Sequence, residues 1–152
     1  MAYTTVEARH KVLSDIAIAT AQIAVSLTAL GEAYEQLDDH GADVLEEQLF
    51  RPVQAAYGRA KRTHADFAAR SGLPVQSLEQ SPPVPHPQSA QTLIDRAVFA
   101  AGEADQTIAD LQDSMLPVEV GDPELRAGLS SVRESLSPLP NRARELVRTV
   151  GR

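Results

Sequence analysis

The sequence predicts an all-α protein, an antiparallel bundle of four long amphipathic helices, on three observations. Apolar residues recur at alternating steps of three and four in four separate segments, the spacing that gathers them on one face of a helix. No segment alternates apolar and polar residues with the period of two that marks a half-buried strand. Glycine and proline cluster between the segments, where helices are expected to stop. The chain has 152 residues, the length of one domain. A chain of that size buries roughly 68–70% of its unfolded surface, so residues 1–152 are read as one bundle domain that needs no staple.

The first segment covers residues 5–38, with a seam of Leu13, Ile16, Thr20, Ile23, Leu27, Leu30, Tyr34 and Leu37. Gly41 is the expected stop. The second covers residues 42–70, with Phe50, Val53, Tyr57, Ala60, His64 and Phe67 in its seam and Leu45 and Leu49 leading in. Pro52 lacks the amide that would bond Gln48, which predicts a kink. Gly72 and Pro74 end the helix.

The third segment runs from Ser89, a side-chain cap, through Ile94, Ala97, Ala101, Ala104, Ile108, Leu111 and Met115. Its alanine-rich centre lets a neighbour approach closely, and Pro117 ends it. The fourth opens on Asp122 and Pro123, a cap followed by proline at the first helical position. Its seam is Leu125, Leu129, Val132, Leu136, Leu139, Ala143, Leu146 and Val150, and the register passes unbroken through Pro138 and Pro140. That continuity predicts one kinked helix or two nearly collinear pieces; the rival is a fresh helix capped by Ser137.

Two helical hairpins result, over residues 5–70 and 89–150, joined by a long proline-rich connection over residues 72–88 with four prolines between positions 81 and 87. Polyproline-like chain at about 3.1 Å per residue would span roughly 50 Å here, against about 39 Å for a 26-residue helix. The connection is long enough either to cross the whole bundle or to cover one end, which leaves the topology open. The two hairpins show no match that would establish a repeat.

Composition narrows the function. The net charge of −7 argues against nucleic acid, whose phosphates are bound by clustered Lys and Arg, and disfavours an anionic membrane surface. There is no cysteine, hence no disulfide, thiolate metal site or cysteine nucleophile, and a reducing cytoplasm is the expected location. The twelve arginines against two lysines read as the habit of a GC-rich, bacterial-like genome.

Between Ile16 and Gly31 the first helix carries no charge. With Leu13 and Ile16 at the two core positions of a heptad, Ile18 and Val25 both fall on the outermost position, where bundle helices ordinarily place charge. These two residues are the predicted contact face for a second copy of the chain or another protein. Thr20, Gln22, Ser26 and Thr28 interrupt the stretch, and it is short for a membrane span.

Other features carry less chemistry. Seven acidic residues and no basic one lie between Gly31 and Phe50, but Asp38-Asp39-His40-Gly41 is too short for a calcium loop. Glu7 and His10 form one Glu-x-x-His, whereas di-iron bundles need two such motifs and two further glutamates. The Arg62-to-Phe67 context around His64 lacks the lysine and small residues of a phosphotransfer histidine. Arg142, Arg144, Arg148 and Arg152 make a modest basic tail that suits a helix C-terminus. Small secreted two-helix bundles turn on a Trp-x-Gly motif, which a chain without tryptophan cannot form.

The sequence therefore points to a non-catalytic interaction or scaffold protein without cofactor or metal, acting as a homodimer or docking a partner helix. The alternative is a ligand- or metal-binding bundle, enzymatic or not, with a site between helices near Tyr34, Tyr57 and His64.

Overall fold

The computed structural model describes residues 5–75 and 88–150, and no described residue lies in a strand. The proline-rich residues 81–87, read above as polyproline-like chain, fall outside the described residues, as does Arg152. Helix α1 spans Thr5–Gln36; α2, Asp39–Leu45, runs through a π-helical turn, Glu46–Phe50, into α3, Arg51–Ser71. Then come α4, Ala90–Asp113; a single turn, α5, Leu116–Glu119; α6, Pro123–Leu136; and α7, Leu139–Val150.

Gly41 does not stop the first helix. Asp38 does so by starting the next one: its backbone is extended and its carboxylate accepts from the Gly41 amide at 2.7 Å, which leaves Gly41 buried in the first turn of α2. At the other end of the hairpin, Gly72 adopts the left-handed conformation (φ 69°). The Leu73 and Gly72 amides then reach back to the Ala68 and Ala69 carbonyls at 2.9 and 3.2 Å, the paired bonds of a glycine-ended helix.

The prolines act where the sequence places them. Just before Pro52 the helix widens into the π turn, with the Arg51 amide bonding the Glu46 carbonyl five residues back. The Gln48 carbonyl, which Pro52 cannot serve, accepts instead from the Arg142 guanidinium of α7 at 3.4 Å. At Ser137-Pro138 the fourth segment divides into α6 and α7. Ser137 keeps right-handed helical angles, so it is not the extended cap of a fresh helix. Leu125, Leu129, Val132, Leu136, Leu139, Ala143 and Leu146 are all buried, so the two pieces share one seam.

Met115 corrects the third seam. It is 52% exposed and takes the left-handed conformation (φ 67°). A helix continued through Pro117 would leave the Asp113 carbonyl without a donor, so the chain turns at Met115 and Leu116 takes its place in the core.

Residue pairs fix the helix directions. Gln36 donates to the Gln88 carbonyl, Ser26 to the Ala97 carbonyl at 2.8 Å, and Thr107 to Gln22 at 2.8 Å, so α1 and α4 run antiparallel. Arg70 bonds Asp122, while Gly128 lies against Thr63, so α3 and α6 are antiparallel. Arg133 reaches both Asp105 and Gln112, which sets α6 against α4. The short turn at Leu37-Asp38 reverses the chain between α1 and the second arm.

Four arms, α1, α2–α3, α4 and α6–α7, thus pack antiparallel around one core, each against its ring neighbours. α3 and α4 point the same way. Gly72 lies at the Asp122 end and Gln88 at the Gln36 end, so these two residues stand at opposite ends of the bundle.

α1 is the central partner. By length and composition alone it could cross a membrane, but half of its most apolar window is buried inside the bundle, as in the core helix of a helical bundle. Its buried hydroxyls are bonded, Thr20 to the Ile16 carbonyl at 2.7 Å and Ser26 to Ala97. Ala19, Ala29 and Ala33 on α1 and Ala97, Ala100, Ala101 and Ala104 on α4 are buried. Such small residues let the two backbones come close enough for a serine hydroxyl to reach across. Larger side chains, among them Leu30, Leu45, Leu49, Phe67, Leu93 and Leu129, fill the rest of the core.

Candidate functional site

Among the residues singled out in the sequence, Ile18 is 49% exposed on the outer face of α1, whereas Val25, two turns on, is partly covered by its own fold. Tyr34 is exposed and lines a depression of about 420 Å³ with Glu35, Leu37, Asp39, Ala42 and Asp43. Tyr57 is half-buried in a smaller one of about 180 Å³, against Ala24, Leu27 and Thr28 of α1, with the Lys61 ammonium 5.1 Å above its ring. The two tyrosines open onto different depressions, and His64 lines neither.

His64 is fully buried, and neither ring nitrogen has a hydrogen-bond partner. Burial pushes its imidazole below the ordinary range, because a charged ring would have no water around it. A neutral imidazole buried without a bond to either nitrogen is a costly core residue.

The acidic stretch spends part of its charge on structure: Asp38 caps α2 and Glu46 pairs with Arg51 at 3.6 Å. Among the described residues no group of three or more His, Asp or Glu is placed to hold a metal ion. Where α3 ends against α6, Arg70 grips both oxygens of Asp122 at 2.8 and 2.9 Å and Glu124 at 2.9 Å. Burial pushes the Asp122 carboxyl up. The hydrogen bonds from Arg70 and from the amides of Leu125 and Glu124 outweigh it and hold the group below its usual range. This clasp joins a helix C-terminus to the cap of the next arm, and it reads as architecture.

A further apolar surface feature lies outside the helix seams. A groove of about 650 Å³ runs between α4 and α7, lined mainly by Val98, Phe99, Pro140, Ala143 and Val147, with Asp95 on one wall and Arg144 and Arg148 on the other. Phe99 is 69% exposed. The signal that flagged Ile18, an apolar residue outside its helix's seam, was present at Phe99 as well. The groove itself depends on how α7 leans after Ser137-Pro138, which spacing does not encode.

No protein-family model matches the chain, and no curated protein or solved structure matches it.

Proposed function

We propose that the chain is a non-catalytic interaction or scaffold protein that associates with a second copy of itself or with another protein. The observation that carries this reading is the display of large apolar side chains on the outer faces of ordered helices, Ile18 on α1 and Phe99 on α4. An exposed Phe costs solubility and contributes nothing to the core, and contiguous apolar surface is what protein contacts cover. Ile18 and Val25 are one candidate contact face, narrowed toward Ile18 by the partial burial of Val25; the groove beside Phe99 is the other.

The test is the mass of the native protein, by light scattering coupled to size exclusion and by native mass spectrometry. A dimer, or a complex with a protein partner, is the expected outcome. A bare monomer at every concentration would remove the self-association reading.

The second reading is a ligand-binding bundle; Tyr34, Tyr57 and His64 do not share one depression, so it rests on the two unbonded nitrogens of His64. A small molecule or metal retained in the native mass spectrum would support it, and unbound protein would count against it.

A further inference from the structure

The α4–α7 groove carries opposite charges on its two walls, Asp95 on the α4 side and Arg144 and Arg148 on the α7 side. The two helices run in opposite directions, so Asp95, near the start of α4, faces the later half of α7 where the arginines stand. Within the chain these charges are not joined to each other. Arg148 pairs with Glu145 of its own helix at 3.1 Å, Arg144 bonds Asn141, and among the described residues no ion pair links either to Asp95. Between the walls lie Val98, Val147 and the exposed Phe99.

We infer that this groove is a homodimer interface, docking a second copy about a two-fold axis that runs along the groove. The inference rests on the self-association reading above and assigns its surface. A two-fold axis parallel to the helices lays the α4 wall of each copy over the α7 wall of the other at the same height. Asp95 then meets Arg144 and Arg148 of the second copy, twice over, and each Phe99 inserts into the other groove. A two-fold across the groove would instead stack acid on acid and base on base. A partner of uniform charge would leave one wall opposed. The groove's charges are complementary to themselves, which is the condition for an isologous contact. The condition matters here because two copies carrying −7 each repel one another overall.

The surface is small. The 12 residues of α7 extend about 18 Å, so the two flanks present less than the roughly 800 Å² per partner of a standard stable interface. The dimer is therefore reversible and concentration-dependent.

Sedimentation velocity of the full chain from about 5 to about 500 µM reads it. The wild-type mass rises toward that of a dimer across the series. Phe99→Asp stays monomeric throughout. Asp95→Arg weakens association at least tenfold, as does the pair Arg144→Asp/Arg148→Asp. Combining all three substitutions restores it, because the walls exchange signs together. Circular dichroism keeps the wild-type helix content in each variant, since the altered side chains stand at the surface. A wild-type chain that is monomeric at the highest concentration overturns both this inference and the self-association reading. A wild-type dimer that Phe99→Asp and the charge changes leave intact overturns the groove alone. Loss of that dimer in Ile18→Glu/Val25→Glu would then move the interface to α1.

Discussion

Along α4, the side that meets α1 carries buried alanines at 97, 100 and 104, while the side that meets α7 carries Val98 and Phe99. The first contact is close enough for Ser26 to hydrogen-bond the Ala97 carbonyl. The second leaves a groove of about 650 Å³ with an aromatic ring at its edge. Both sides belong to one unbroken helix, so the difference comes from the neighbours. α1 is a regular helix of 32 residues with small residues toward α4. α7 is a 12-residue piece set off by Pro138, anchored through Arg142 to the Gln48 carbonyl that Pro52 leaves free. Small residues on regular helices bring backbones together. A proline-divided arm meets the same helix along a looser line and leaves apolar surface for something else to cover.

Substitutions two residues apart on α4 should break that comparison most visibly. Ala97→Leu forces a branched side chain into the α1 contact and displaces the Ser26 bond. It is expected to cost about 3 kcal/mol, combining overpacking with a lost hydrogen bond. A fall in the urea midpoint at unchanged slope measures it.

The contact between α3 and α6 offers a second tight approach. A Cβ at Gly128 would sit 2.3 Å from the Thr63 hydroxyl. Thr63 is β-branched, buried and bonded to the Arg59 carbonyl at 2.8 Å, so it has little room to turn. Gly128→Ala therefore destabilises by about 2 kcal/mol, although alanine is the better helix former. Adding Thr63→Ala removes the clash and should recover most of the loss; a cycle of thermal midpoints would show strong coupling between the two sites.

His64 sharpens the comparison from inside the core. Its folded-state pKa is depressed below the ordinary 6.5 by burial, so the unfolded chain takes up the proton first as pH falls. This group therefore makes stability independent of pH above 6.5 and lowers it progressively below that value, by up to about 1.4 kcal/mol per pH unit. His64→Leu removes both unbonded nitrogens. It should stabilise the protein by about 1 kcal/mol at pH 7 and by more at pH 5, flattening the urea midpoint against pH. An unchanged pH profile, or a large loss of stability at pH 7, would instead point to a partner for the ring and revive the ligand-binding reading.

Much of this architecture was legible because each helix states its period, caps and stops locally. Ser89 and Asp122 cap as their chemistry dictates, accepting from the Thr92 and Leu125 amides. The all-α class follows from the seams alone. Gly41 is not the stop its glycine suggests, because Asp38, three residues earlier, captures its amide. Met115 kept the seam's spacing, but Pro117 made the helix end before reaching it. The direction of α4 relative to α3 was open because a connection of that length allows either. Of the surface candidates, Ile18 was readable from its heptad position. Phe99 carries the same signal, but its groove was not readable, because an exposed aromatic becomes a site only where a second helix forms the other wall, and that wall lies about 45 residues on in the sequence.

Phe99→Ala should produce the smallest effect on folding and is the sharpest counterpart to Ala97→Leu. A side chain 69% exposed has little burial to lose, and alanine gains in helix propensity about what the ring's small remaining burial supplies. Stability measured near 2 µM, where the chain is expected to be monomeric, should stay within about 0.5 kcal/mol of wild type. The ring would then be dispensable for the fold while its neighbour two residues away is not. A loss of more than about 2 kcal/mol would mean that Phe99 closes onto the groove and supports α7 from within. The groove would in that case be a cavity the chain covers for itself, and the docking reading would lose its surface.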